Sequence, residues 1–113
     1  MSRREDWISL RHMLDYARRA QKMARGRRRS DLDADDMFQL ALTHLVEIIG
    51  EAASRVSMPT REKHRQIPWA NIVGMRNRLI HGYDVVVLDL LWDTVEADLP
   101  PLIAALEDIL EKE

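Results

Sequence analysis

The chain has 113 residues, with 17 Lys and Arg, 19 Asp and Glu, four His and no Cys. That length is one domain around one modest core. The absence of cysteine excludes disulfides, thiolate nucleophiles and every zinc site with Cys ligands. Residues 1–6 are polar and charged with no apolar stretch behind them, unlike a secretory signal. The apolar runs fall far short of the ~20 residues a membrane helix needs, so the expected location is the cytoplasm.

Four Gly and four Pro are few turn residues for this length, which favours long helices. The net charge of −2 hides a polarised chain. Residues 1–30 carry ten Lys/Arg against three Asp/Glu, a balance of +7, whereas residues 84–113 carry one against nine, a balance of −8. Two readings are open. The basic end is an anion-binding surface for residues 4–29, or the basic first helix packs near the acidic last one and their fields cancel.

In chain order, the first element is a helix over residues 5–25. Trp7, Leu10, Leu14 and Ala17 keep helical spacing, and Met13, Tyr16, Ala20 and Ala24 widen the stripe. Arg4, Arg11, Arg18 and Arg25 recur every seven residues along one side, with Lys22 extending the ridge. Gly26 is a suitable stop, and Arg27-Arg28-Arg29-Ser30 follows as a short basic loop. The second helix is expected to start between Asp33 and Asp36, where acidic residues suit a helix N-terminus, and to run to Val56. Its apolar residues cover most of its circumference, so it must be buried on more than one side, one of them against a second subunit. His44, Glu47 and Glu51 have the spacing of ligands on adjacent turns, but no matching third helix makes them a metal site.

Pro59 is expected to end that segment, with a short helical turn over residues 60–66. Pro68 suits the first turn of a helix from Trp69 to His81, capped by Gly82. The last element is expected near Asp89. Leu88, Trp92, Val95, Leu99, Leu102, Leu106 and Ile109 keep a 4-3-4-3 rhythm through Pro100-Pro101, which predicts one long helix with a proline kink. No alternating strand pattern occurs. The fold class is therefore all-α, an antiparallel bundle of four main helices plus a short connecting one.

The segment with chemical promise is Arg76-Asn77-Arg78-Leu79-Ile80-His81-Gly82-Tyr83. Asn77 and His81 lie one turn apart on a shared face. Arg76 lies about 140° round the helix from His81, within reach of the same pocket by its long side chain. His81 occupies the last helical turn, where the negative end of the dipole favours imidazolium. Imidazolium beside guanidinium suits phosphate binding and proton donation better than it suits a core. The same residues also allow a structural role, with His81 as a cap and Arg76 paired to Glu47 or Glu51.

Ile67-Pro68-Trp69, Gly74-Met75-Arg76-Asn77, Leu79-Ile80-His81-Gly82-Tyr83, Leu99-Pro100 and Ile48-Ile49-Gly50-Glu51-Ala52 together resemble the HepT-like branch of the HEPN superfamily. The resemblance spans residues 8–110. It implies a homodimeric α-helical ribonuclease toxin whose partner is a nucleotidyltransferase antitoxin. It assigns Arg76 and His81 as the RNase pair, Asn77 as a polar helper, and Tyr83 as the tyrosine the antitoxin modifies with AMP. Arg78 and Glu51 stand as supporting residues. The run Val85-Val86-Val87-Leu88 is more apolar than expected after such a tyrosine. The expected function is metal-independent endonucleolytic cleavage of RNA, with no cofactor. The rival is a non-catalytic helical module that binds a nucleotide or a partner. A DNA-binding reading has little support, because the net charge is negative and no helix-turn-helix pattern occurs.

Overall fold

The computed structural model describes residues 3–81 and 85–112 and is all-α. The helices are α1 (Arg3–Ala24), α2 (Asp31–Ala34), α3 (Asp36–Ser54), α4 (Met58–Lys63), α5 (Trp69–His81), α6 (Val85–Asp93) and α7 (Leu99–Glu111), with a π-helical turn (Thr94–Asp98) joining the last two. No helix among the described residues is long and apolar enough to cross a membrane. Packing centres on α1, which lies against both α3 and α7, while α5 packs against α3.

The predicted stripe of α1 is its core face: Leu10, Met13, Leu14, Ala17, Ala20 and Ala24 are buried. Gly26, at φ +77°, turns the chain out of the helix in a conformation that side chains disfavour. The basic loop is tied inward. Arg27 pairs with Asp35 at 2.9 Å and lies 4.1 Å over the Phe38 ring. Arg29 bridges Asp33 at 2.9 Å and Asp89 of α6 at 2.6 Å. Arg18 meets Glu107 of α7 at 2.6 Å. The basic start of the chain thus lies against its acidic end. These partly exposed pairs set alignment more than they add stability.

The second expected helix is α3, which starts at Asp36, within the expected range, and a short α2 precedes it. Asp35 is extended (φ −128°, ψ 98°), which separates the short α2 from α3, and its carboxylate caps α3 by accepting from Phe38 N at 3.1 Å. At the other end, α3 stops at Ser54, two residues early. There the Arg61 guanidinium donates to the carbonyls of Ala53, Ser54 and Val56 at 3.0–3.2 Å. Pro59 does not end a helix but sits in the first turn of α4, where its missing N–H costs nothing. Within the chain α3 buries one side only: Phe38, Leu42, Val46 and Ile49 are inside, while Met37 and Leu40 are 83% and 64% exposed.

The last element begins at Val85, four residues before the expected start, so the apolar valine run belongs to the helix. α6, the π turn and α7 follow without a break. Pro100 and Pro101 fall in the first turn of α7. Neither can donate a backbone hydrogen bond, and a proline ring crowds the carbonyl four residues before it. The turn ahead of them widens, with Leu99 N–H reaching back to Thr94 O. The wider turn takes up one extra residue. Upstream of it Leu91 is fully buried and Leu88 and Trp92 only half-buried, a correction to the 4-3-4-3 reading.

The two ends of the α1–α3 hairpin are pinned by a buried carboxylate. Asp6, 4% exposed, accepts from Ser57 N at 2.9 Å, Ser57 Oγ at 2.5 Å and Thr60 Oγ1 at 2.6 Å. Burial alone pushes this carboxyl up, but the three hydrogen bonds outweigh it and hold the pKa below the ordinary aspartate value. The contact shows that α1 and α3 run antiparallel, since the start of one meets the end of the other. A depressed carboxyl pKa contributes stability above the unfolded value, which is lost as pH falls through the folded one. We predict that Asp6→Asn lowers stability at pH 7 by about 1–3 kcal/mol in denaturant melts. The gap to wild type should close as pH drops below the aspartate range; a gap independent of pH would show that charge plays no part.

Candidate active site

The site is built where α3 and α5 cross. Gly50 faces α5 so closely that a Cβ there would lie 2.5 Å from Arg76 Cβ and 3.1 Å from the Ile72 carbonyl. Only a residue without a side chain permits that approach. One residue on, Glu51 Oε2 takes Arg76 Nε at 2.8 Å. Its other oxygen lies 3.3 Å from Arg55 Nη2. Arg76 Nη1 donates to Asn77 Oδ1 at 3.2 Å. The carboxylate therefore fixes the rear of a half-buried guanidinium, and the fork keeps donors free for an incoming anion.

Of the six residues singled out in the sequence, the structure brings together Arg76, Asn77 and Glu51. Glu51, not Glu47, is the partner of Arg76. His81 is the last residue of α5, one turn beyond Asn77. Tyr83, and Gly82 as the expected cap, lie outside the described residues. Arg78 does not join Arg76, because the two positions are about 200° apart around the helix. It lines a cleft of about 610 Å³ between α5 and the α6–α7 segment, with Gln66, Asn71 and Gly74 beside it and Asp98 across from them. The His44–Glu47–Glu51 spacing does not assemble: His44 Nδ1 is 3.9 Å from Glu47, while Glu51 is engaged by two arginines. Among the described residues no group of three His, Asp or Glu could hold a metal.

The feature that side-chain chemistry left unread is Gly50. A lone glycine inside an apolar helix signals a close backbone approach, but only the crossing shows that the neighbour is Arg76.

The profile of the HepT-like family, described as ribonuclease HepT-like, matches residues 13–109. This chain belongs to that ribonuclease family. A provisionally assigned RNase of Caldanaerobacter subterraneus subsp. tengcongensis is 35% identical over 104 residues, covering 92% of this chain and 93% of that protein. A Thermococcus cleftensis protein named "Probable ribonuclease HepT" is 39% identical over 72 residues, 64% of this chain and 66% of that one. A Methanocaldococcus jannaschii protein, named for gamma-glutamylcyclotransferase activity and provisionally as an RNase, is 33% identical over 110 residues. That match takes in 97% of this chain and 50% of the longer protein. No solved structure matches the chain.

We predict that Gly50→Ala drives α3 and α5 apart, costing about 1–3 kcal/mol and displacing Arg76. Thermal melting should show the loss, and the activity of the folded fraction should fall with it. A variant as stable and active as wild type would mean that the crossing relaxes without consequence.

Proposed function

We propose that this ribonuclease is the toxin of a toxin–antitoxin pair, cutting RNA endonucleolytically without a metal. The observation that supports this most is the Glu51-held guanidinium of Arg76, on the helix whose last residue is His81. In the reaction a base removes the proton of a ribose 2′-hydroxyl. O2′ bonds to the adjacent phosphorus, the P–O5′ bond breaks, and an acid protonates the leaving 5′ oxygen. The products carry a 2′,3′-cyclic phosphate and a 5′-hydroxyl. His81 transfers the proton, Arg76 neutralises charge growing on the phosphoryl oxygens, Asn77 orients the histidine or binds a phosphate oxygen, and Glu51 positions Arg76.

One imidazole does not serve as base and acid in the same step. A two-fold dimer supplies the other as His81 of the partner subunit. The half-open side of α3, with Met37 and Leu40 exposed, favours such an assembly, since large apolar side chains left in water mark an interaction surface.

The experiment is RNA cleavage by purified protein in EDTA. Arg76→Ala and His81→Ala should each reduce it to background, with melting temperatures within a few degrees of wild type. Persistent cleavage in both would refute the assignment, and binding of RNA without cleavage by the wild type would favour a non-catalytic module.

Regulation in this reading falls on Tyr83, two residues beyond His81. AMP on its hydroxyl adds one negative charge and a bulky nucleoside, which compete with substrate phosphate and crowd the site. The nucleotidyltransferase antitoxin is the donor enzyme. Intact mass and peptide mapping after co-expression with the nucleotidyltransferase should show adenylylated, inactive protein. Tyr83→Phe should stay toxic and escape neutralisation. An unmodified but inactive complex would mean inhibition by binding alone.

A further inference from the structure

The cleft between α5 and the α6–α7 segment has no part in that chemistry. It holds about 610 Å³, within the range of about 300–1,000 Å³ typical of ligand sites. Its floor is apolar, made by Ile49, Met75 and Leu102 among others. Its rim carries Gln66, Asn71 and Arg78, all exposed. Arg78 has no ion-pair partner among the described residues.

The helical register ties this cleft to the site. Asn71, Gly74, Arg78 and the position of His81 follow 3-4-3 spacing, so they form one row along α5. From Gly74 to His81 is about 10 Å of helix axis, comparable with the reach of a nucleotide from base to phosphate. Gly74 leaves a gap in the row: a Cβ there would meet nothing within 4 Å. A flat ring can lie in that gap above apolar side chains.

We propose that this cleft seats one unpaired nucleobase of the RNA, next to the scissile linkage. The chemistry of the rim suits that occupant. The amides of Gln66 and Asn71 each donate and accept, as the edges of bases do. Asp98 lines the cleft from the π turn, where a carboxylate accepts from an exocyclic amine and repels phosphate. A phosphate flanking that base is thereby directed to Arg78, leaving the scissile one to Arg76 and His81. Such a site requires single-stranded RNA, since a paired base cannot be extruded into it without cost. The inference rests on the ribonuclease reading of Arg76 and His81, and its test has a readout that does not need cleavage.

Gly74→Leu puts a side chain into the gap, its Cβ meeting nothing within 4 Å, and replaces a helix-weakening residue by a helix former. Its fold is checked by melting. A short fluorescent single-stranded RNA with a mapped cut is compared with versions carrying an abasic ribose at each position near that cut. Wild type should cut and bind the parent about ten-fold better than the version abasic at one position, the effect of one stacked base. In Gly74→Leu that ratio should fall to about one, and in Asn71→Ala it should fall part of the way. Fluorescence anisotropy reads the same ratio even if the protein cuts nothing, so failure of the ribonuclease reading and failure of the cleft are separable. Equal base dependence in wild type and Gly74→Leu overturns the proposal. So does a Gly74→Leu protein that loses its oligomeric state in sedimentation, with no base dependence in wild type, which would make the cleft a contact between copies of the chain.

Discussion

The close approach of α5 to α3 at Gly50 determines most of what this molecule can do. Because that residue has no side chain, α5 lies against α3 at Arg76, and because Glu51 follows it, a carboxylate stands where the guanidinium arrives. Packing and electrostatics thus meet within two consecutive residues. The arrangement is economical. A helix crossing that must exist for the core to close also holds an arginine in one orientation, removing rotamer freedom that binding a phosphate would otherwise have to freeze out. The pair is half-exposed, so its worth lies in direction more than in stability.

Much of this was legible in the sequence, and the parts that were not have physical causes. The α1 stripe and the Trp69–His81 helix read directly, since Leu10, Leu14 and Ala17 on one and Pro68 before the other are local signals. The short α2 ahead of the second expected helix was hidden because Asp35 looks like part of an acidic first turn. Only its extended backbone shows that it is the cap itself. Pro59 misled for the opposite reason, as proline ends one helix and starts another equally well. The start of the last helix was placed late because a valine run carries no helical start signal. The π turn escaped because periodicity counts residues and assumes a constant pitch.

Of the candidate site, the identity of the Arg76 partner was left between Glu47 and Glu51. Both lie on one side of α3, and the choice is set by where α5 crosses, a tertiary fact. The basic residues near the start of the chain were equally ambiguous. Arg18, Arg27 and Arg29 each turn out to face a carboxylate, two of those carboxylates in the acidic last third. Part of the charge asymmetry along the sequence is therefore an asymmetry of chain order that these pairs bring together.

That pairing of first and last has a consequence for how the protein comes into being. α7 packs along α1, and at the surface of that contact Arg18 meets Glu107, 89 residues away. During synthesis Arg76 and His81 are joined to the chain before Leu102, Leu106 and Ile109, which help close the core. Contacts so distant in sequence form last, because the intervening loop must be ordered first. The nascent chain therefore carries its arginine and histidine through translation without a finished scaffold. The machinery that is making the protein is surrounded by RNA, and the fold is completed only as α7 emerges.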